Sequence, residues 1–569
     1  MSKYVLGISC GYHDSAACLI KDGVVLGACE EERFTGIKHD NIFPHNTIKW
    51  LLSSNKISKD NLEAICFYEN PELKLDRIGK STRRGGVLNY FKRKKIISNN
   101  ENNYKQLLKE LDLYKGKNTK IIYNDHHNSH VAYSYFTSNF KESAILSVDG
   151  VGEWETTSLY YGHTHRTLKR LDSVIFPSSL GMFYSAMTAF LGFKPNEGEY
   201  KVMGLAPYGN KQTYLDKLQK VFLNTNDKFE IDMQYFTYDY SDTHMFNTKL
   251  SELLEIPNRL PEEKLTQEYK DLAASVQTIY EKYFFKLLNE LHKRTKSTNL
   301  CLSGGCAYNG TANGKIKQKT KFKNIWIPPA PSDAGSAIGC ALRYYYSENL
   351  SSVRKDNTNP FLGPFYNKTE IKKALQDFDS DVYYEWLPSD MIPKYVANLI
   401  HENNIVGFYQ GRMEFGARAL GNRSILANPS DPQMKSRLNK VIKKREGFRP
   451  FAPMVTQESL TKYFEYNSDI PYMNQVVKVK NPHKKYLPSI THIDGSARVQ
   501  TVSSHKQKLV YKLLKEFQKL SKYPILINTS FNLKDQTMVL TPEDAIKTFL
   551  NCEMDILILG SYVVKKKIL

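Results

Sequence analysis

A strand–loop–hairpin plan occurs twice in this chain, and that repetition limits the fold more than any other feature of the sequence. Residues 4–30 run YVLGISCG, HDSAACLI, the dipeptide Asp22-Gly23, then VVLGACEE. Asp-Gly between apolar runs marks a tight β-hairpin, because the turn needs positive φ angles that few other residues tolerate. The plan returns at 143–172, where SAILSVDG leads into GEWETTSLYYG and a further strand, RTLKRLDSV. In both copies a strand ends in small or acidic residues and folds back through a hairpin.

Such a duplication predicts an α/β fold of the two-lobed actin and sugar-kinase type, whose paired loops clamp nucleotide phosphates. Leu272, Val276, Ile279, Tyr283, Leu287 and Leu291 recur at helical spacing and predict a helix over 269–294. Strands NLCLSGG (299–305) and NIWIPPAP (324–331) follow, with a helix starting near Ser332. The polar, Pro- and Gly-punctuated stretch 346–366 reads as a domain boundary. Beyond it lie a helix over 389–403, strand IVGFYQ, a basic loop region, a helix over 508–520, strand PILIN, a helix over 541–550 and strand DILILG. A chain of 569 residues exceeds what one hydrophobic core serves. The expected organisation is a domain over 1–350, a linker over 351–365 and a smaller α/β domain over 366–569.

No apolar run approaches the length that spans a bilayer, and MSKYVLGISCGYHDS has no cleavage-site pattern, so the expectation is a cytoplasmic protein without a membrane partner. Eight scattered cysteines without a CxxC pair predict buried thiols rather than a zinc knuckle or disulfide framework. The formal charge of +20 favours anionic ligands, whether phosphorylated small molecules or nucleic acid; a Lys-, Asn- and Ile-rich coding genome would produce the same excess.

Three of the histidines crowd into NDHHNSH (124–130). If this stretch is helical, His126 and His130 share one face at the i, i+4 spacing that lets two imidazoles reach one ion. Asp149, ending AILSVD, and Asp333, opening DAGSAIGCALRYYY, supply carboxylates in matching contexts. Two His and two Asp suit a borderline divalent ion such as iron, zinc or manganese. His127 points off that face, toward solvent on the simplest reading. In SGGCAYN (303–309), Gly304 and Gly305 let backbone approach a ligand, and amides at the next helix start suit phosphate, with Asn309 or Asn313 adding a polar contact. A tight strand-to-helix turn would explain the same residues. The loop GEYKVMGLAPYG (198–209) reads either as an ordered loop or as a pocket wall.

In the C-terminal part, Arg418, Arg423, Lys443 and Arg449 are interleaved with glycines and aromatics, a pattern suited to a small, multiply charged phosphate. A solvated basic face would instead show lysines at helical spacing. Arg498, Asn528 and Ser530 add a guanidinium, an amide and a hydroxyl at strand ends.

Together GISCGYHDSAACLIKDG, EERFTGIKHD, the His126/His130 pair, GEYKVMGLAPYG, SGGCAYNGTANGKI, PPAPSDAGSAIG, GRMEFGARALGNRSILA, REGFRPFAP and NTSFN resemble the nodulation- and antibiotic-type O-carbamoyltransferases, in order over nearly the whole chain. The resemblance implies an actin-like N-terminal domain and a C-terminal domain similar to threonylcarbamoyl-adenylate synthase. It implies that carbamoyl phosphate yields carbamate, which attacks the α-phosphorus of ATP to give carbamoyl-adenylate and pyrophosphate. The N-terminal domain then transfers the carbamoyl group to a hydroxyl. By motif match, Arg418, Lys443, Arg449, Arg498, Asn528 and Ser530 hold carbamoyl phosphate and the adenylate. His126, His130, Asp149 and Asp333 bind a divalent metal, usually Fe(2+). Gly304, Gly305 and Asn309 contact the nucleotide, with Lys38 near it. His13, with Asp14 as substitute, is the expected base for the acceptor hydroxyl. The family often has Pro where this chain has Ala417, beside Arg418. The resemblance also implies a tendency to homodimers.

The expected acceptor is a small molecule: a sugar, an antibiotic or an oligosaccharide. One alternative puts the hydroxyl on nucleic acid, such as a hydroxymethylated base, motivated by the basic segments Arg83–Lys95 and Lys115–Lys120. Another is a non-catalytic actin-fold ATP-binding regulatory protein, which would have no need of the arginine cluster.

Overall fold

The computed structural model describes residues 3–81, 90–164, 166–224, 228–241 and 243–567. Most of the basic segment Arg83–Lys95 lies outside them or has no described side chain. The chain forms two compact units, one of Met1–Ala28 with Asn41–Thr358, the other of Cys29–Asp40 with Asn359–Leu569.

The first unit holds two five-stranded sheets with one topology. The first sheet has β1 (Tyr4–Ser9), β2 (Ala16–Lys21), β3 (Val24–Glu30), β4 (Leu62–Phe67) and β5 (Lys120–Tyr123), in the order β3-β2-β1-β4-β5. The second has β6 (Ser143–Val148), β7 (Glu155–His163) and β8 (Thr167–Ile175), then, past the hairpin β9 (Phe222–Asn224) and β10 (Phe229–Ile231), β11 (Asn299–Ser303) and β12 (Asn324–Trp326). Its order, β8-β7-β6-β11-β12, repeats the first strand for strand. In each, the leading strand is antiparallel to its hairpin partner and parallel to the strand on its other side. Asp22 and Gly23 take φ of 50° and 80°, as the Asp-Gly turn requires. This is the duplicated, actin-like α/β arrangement that the repeat predicts.

The duplication extends to the helices. His126–Thr137 follows the last strand of the first sheet, and Asp333–Glu348 follows the last strand of the second. These equivalent helices pack directly on each other. Gly335 and Gly339 make the approach feasible: a Cβ on Gly339 would lie 1.9 Å from the Ser129 carbonyl oxygen, and one on Gly335 would lie 2.3 Å from the Tyr133 ring. Backbone cannot yield like a side-chain tip, so Gly339→Ala should cost about 3 kcal/mol, read as a lower denaturant midpoint.

Pro71–Ser81, Tyr90–Leu113 and Thr248–Leu254 are further helices, whose apolar residues are too sparse to give a periodic stripe.

The second unit is built on a mixed eight-stranded sheet, ordered β13-β22-β21-β14-β15-β20-β16-β19. Its strands are β13 (Val382–Trp386), β14 (Val406–Tyr409), β15 (Arg423–Ala427), β16 (Ala452–Thr456), β19 (Gln500–Val502), β20 (Ile525–Ser530), β21 (Ile556–Leu559) and β22 (Tyr562–Lys566). A small ribbon pairs β17 (Val476–Lys478) with β18 (Ser496–Arg498). Helices Ile392–His401 and Lys508–Ser521 pack on one another, burying Val396, Ile400, Leu513 and Phe517.

One excursion departs from the expected division: Cys29–Asp40 belongs to the second unit although the sequence places it inside the N-terminal domain. Polar contacts hold it there. Glu30 accepts a hydrogen bond from the Gly416 amide (2.7 Å), Arg33 donates to the Gly416 carbonyl (3.2 Å), and Phe34 packs against the cluster of Met413, Ala419, Met538 and Leu540. Among the described residues no helix is long and apolar enough to cross a membrane.

Candidate metal centre and anion site

The sheet duplication explains why four distant residues meet in the first unit. His126 and Asp333 begin the two equivalent helices, His130 lies one turn into the first, and Asp149 directly follows β6. One ligand atom from each lies within 4.8 Å of every other, and all four side chains are buried. His126 Nε2 is 2.9 Å from Asp149 Oδ2 and 3.0 Å from His130 Nε2. His130 Nε2 is 3.4 Å from carboxylate oxygens of both Asp149 and Asp333.

Neighbouring groups set the ring orientations. Ser336 Oγ is 2.9 Å from His130 Nδ1, and the Gly305 amide donates to Asp149 Oδ1 (2.8 Å). Glu153 receives the His126 backbone amide at 3.0 Å, capping the helix start, and Tyr68 donates to Asp333 at 3.5 Å. Burial opposes ionisation of Asp149, yet bonds from His126 and His130 hold its carboxyl well below the usual range. Burial likewise opposes Asp333, which His13 and His126 lower. Burial pulls His126 down, but Asp333 and Asp149 raise it to about 9.

The donor set fits a divalent cation. Two imidazole Nε2 atoms facing each other at 3.0 Å repel when both carry protons, and a cation there would displace those protons and satisfy the carboxylates. Buried N2O2 donors with oriented outer partners are what such an ion needs.

His127 departs from the expectation of a solvated side chain. It is fully buried, with Nδ1 2.8 Å from Ser158 Oγ, and burial lowers it to about 3, so it is neutral. It is not among the four clustered donors. His127→Ala should leave metal content unchanged while destabilising the fold by about 2 kcal/mol through the lost bond and cavity; metal analysis and denaturant unfolding read the two effects separately.

His13 and Asp14, in the loop after β1, pair at 3.0 Å (Nδ1 to Oδ2). Burial lowers His13, but Asp333, Asp14 and Asp149 together raise it to about 10. It is therefore protonated at neutral pH while those carboxylates are uncompensated. The SGG turn is set by packing: Gly304 has φ of 84°, and a Cβ there would lie 2.2 Å from the Val148 carbonyl oxygen. Its amide donates to Pro331 O (2.8 Å), and that of Gly305 to Asp149, so in this conformation neither is free for a phosphate. Asn309 exchanges amide hydrogen bonds with Gln277 (3.1 Å each) and caps the next helical turn through Ala312 (3.0 Å). Asn313, the other candidate there, is buried and donates to Ala307 O (2.7 Å).

The second unit gathers cations. Lys443 Nζ donates to Ser530 O (2.6 Å), Asn532 O (2.9 Å) and Asn532 Oδ1 (2.8 Å). Burial first, then the charges of Arg445, Arg449 and Lys38, push its amine well below the ordinary lysine value. Arg498 is lowered in the same way by burial and by Arg418, Arg445 and Arg449. Asn528 donates to Ala419 O (3.0 Å) and Gln500 Oε1 (2.8 Å), while its own Oδ1 is buried without a partner. Arg418, Lys443, Arg449 and Arg498 thus share one electrostatic neighbourhood, and Ser530 adjoins Lys443. Lys38, expected near the nucleotide, belongs to the second unit, where its charge acts on Lys443.

Arg423 does not join the cluster. It is fully buried, stacked 3.6 Å from the Tyr409 ring centroid and bonded to the Gln410 carbonyl (2.7 Å). Glu414, also fully buried, folds the loop before it by accepting amides from Leu420 (2.8 Å), Asn422 (2.7 Å) and Arg423 (3.1 Å). Arg445 is the residue the sequence reading passed over. It stacks 4.6 Å from the Phe451 ring centroid and acts on both Lys443 and Arg498. Its place in KKREGFR was the available signal.

Two family models match the chain. Residues 4–342 match the model described as carbamoyltransferase N-terminus, and 397–566 that described as carbamoyltransferase C-terminus. An uncharacterized protein of Synechocystis sp. is 40% identical, covering 99% of this chain and 97% of the relative. Nodulation protein NolNO of Sinorhizobium fredii is 33% identical, covering 98% of this chain and 79% of the relative. Among solved structures, T. kodakarensis HypF aligns with a TM-score of 0.37 at 14% identity, over 63% of this chain and 49% of HypF.

Proposed function

The chain belongs to the carbamoyltransferase family, and we propose that it acts in two half-reactions, forming carbamoyl-adenylate from ATP and carbamoyl phosphate and passing the carbamoyl group to a small-molecule hydroxyl. The observation that carries this reading is the crowding of Lys38, Arg418, Arg445 and Arg449 around the buried Lys443 and the half-buried Arg498. Arg445, Arg449 and Lys38 act on Lys443, and Arg418, Arg445 and Arg449 act on Arg498; a multiply charged anion relieves such repulsion.

In the first half-reaction, water attack on carbamoyl phosphate releases phosphate and carbamate. A carbamate oxygen then bonds to the α-phosphorus of ATP as pyrophosphate leaves. Arg418, Arg449, Arg498 and Lys443 neutralise the phosphoryl charge; Arg498 ends β18, and Lys443 is bonded to Ser530 at the end of β20. Asn528 Oδ1, buried and unpartnered, is an acceptor suited to the carbamoyl amide.

In the second, the acceptor oxygen attacks the carbamoyl carbon and AMP leaves. His126, His130, Asp149 and Asp333 would hold a divalent ion, which would supply Lewis-acid polarisation of the carbonyl. His13, oriented by Asp14, takes the hydroxyl proton once its acidic neighbours are charge-compensated. Asn309, held by Gln277, orients the nucleotide.

Incubation with ATP and carbamoyl phosphate should release pyrophosphate in near-stoichiometric amount without acceptor. An absence of release from metal-loaded protein overturns this reading.

A further inference from the structure

Beside the metal centre, within the first unit, lies a cation with no partner in either half-reaction. Arg77 sits on helix Pro71–Ser81, its guanidinium 5.2 Å from the Phe176 ring centroid. Its Nε is buried without a hydrogen bond, and among the described residues no carboxylate forms an ion pair with it. The nearby acids are committed elsewhere. Glu69 pairs with Lys74 (2.7 Å), Asp76 with Lys80 (2.8 Å) and with the Trp154 indole (3.3 Å), and Glu153 receives the backbone amides of Asn70 (2.7 Å) and His126 (3.0 Å).

The surroundings link this cation to the His126/His130/Asp149/Asp333 cluster, since Glu153, whose charge acts on Arg77, accepts the His126 backbone amide. Tyr12, next to His13, feels the charges of Arg77, Asp333, Asp149 and Glu199. Its side chain is 44% exposed, and Lys74 Nζ stands 6.0 Å from its ring centroid. Trp154, five residues after Asp149, is tied to Phe176 by a backbone bond (2.8 Å). Tyr12, Trp154 and Phe176 therefore bring aromatic surface to the same region, and such surface suits the C–H faces of a sugar ring. A guanidinium held flat on an aromatic ring with donors unspent is preorganised for a carboxylate or phosphate.

We propose, taking carbamoyl transfer to a hydroxyl as the reaction, that Arg77 binds an anionic group of the acceptor, and that the acceptor is an acidic or phosphorylated sugar. The bound anion anchors the acceptor beside His13 and takes no part in bond making.

The test compares wild type with Arg77→Gln and Arg77→Lys on matched probes: uronic acids, hexose phosphates and nucleoside-diphosphate sugars, each beside its neutral parent glycoside. Calorimetric binding to metal-loaded protein requires no turnover, so it stands even if pyrophosphate release fails. The expected result is selective binding of at least one anionic probe over its parent, weakened about 10- to 100-fold by Arg77→Gln and partly restored in Arg77→Lys. In turnover the same loss should fall on acceptor KM rather than kcat, with pyrophosphate release without acceptor unchanged. Absence of anion preference in wild type overturns the proposal, as does equal weakening of charged and neutral probes. Loss of AMP binding in Arg77→Gln also overturns it, because the anion would then be the phosphate of the adenylate.

Discussion

Arg449→Ala is expected to lower pyrophosphate release from ATP and carbamoyl phosphate by about 100- to 1000-fold, the usual cost of removing one charged donor from a phosphoryl-binding site. Arg449 has a nearby carboxylate, Glu446, at 3.3 Å, and its charge acts on both Lys443 and Arg498. Removing it relieves repulsion inside the cluster, so the folded protein should be no less stable than wild type, and a raised thermal midpoint would be unsurprising. Loss of release with stability kept is a combination that misfolding cannot mimic. Metal content should remain at the wild-type level, because the four candidate ligands all lie in the first unit. Release within a few-fold of wild type would remove the second unit's cation cluster from the chemistry.

His130→Ala gives the complementary result. His130 Nε2 faces both Asp149 and Asp333 at 3.4 Å, and its Nδ1 lies 2.9 Å from Ser336, so it is the ligand most firmly oriented on both sides. Its loss leaves three donors and two carboxylates with less compensation. Metal bound after dialysis should fall to background, and carbamoyl transfer should drop by at least about 100-fold. Pyrophosphate release should persist, since none of the four donors belongs to the second unit. Retained metal in His130→Ala would show that the quartet is a buried hydrogen-bond network rather than a ligand set.

How far the site is legible before folding differs between the two units. In the first, the repeat is explicit in the order of apolar runs, and the ends of repeated strands and helices are where functional groups gather. HxxxH and the two aspartates could be chosen because each stood at an equivalent boundary. What the pattern left out was the neighbour of each residue. His127 was read as solvated because a helical wheel gives direction without saying what covers it; Ser158 and the packed sheet cover it. SGG allows either a close backbone approach to a ligand or a tight strand-to-helix turn because the freedom of glycine is visible in sequence, whereas the engagement of the Gly304 and Gly305 amides by Pro331 and Asp149 is not.

In the second unit, composition pointed to an anion site but could not sort its arginines. Arg418 and Arg423 are five positions apart in one loop, yet one acts on Arg498 while the other is stacked on Tyr409 as part of the core. The difference is made by Glu414, whose carboxylate gathers three amides and fixes which way the loop turns.

The sequence by itself determined the duplicated sheets, the hairpin turns, the helix over 269–294 and the four residues that cluster as candidate metal donors, because strand and helix periodicity, turn stereochemistry and ligand chemistry are properties of short segments. Only the tertiary structure decided that Cys29–Asp40 folds with the second unit, that Lys38 and Arg445 join Lys443, and that Arg77 lies over Phe176 with its buried Nε unbonded. Those outcomes depend on sheet order and on which buried charges are compensated, and both are set by contacts between residues far apart in the chain.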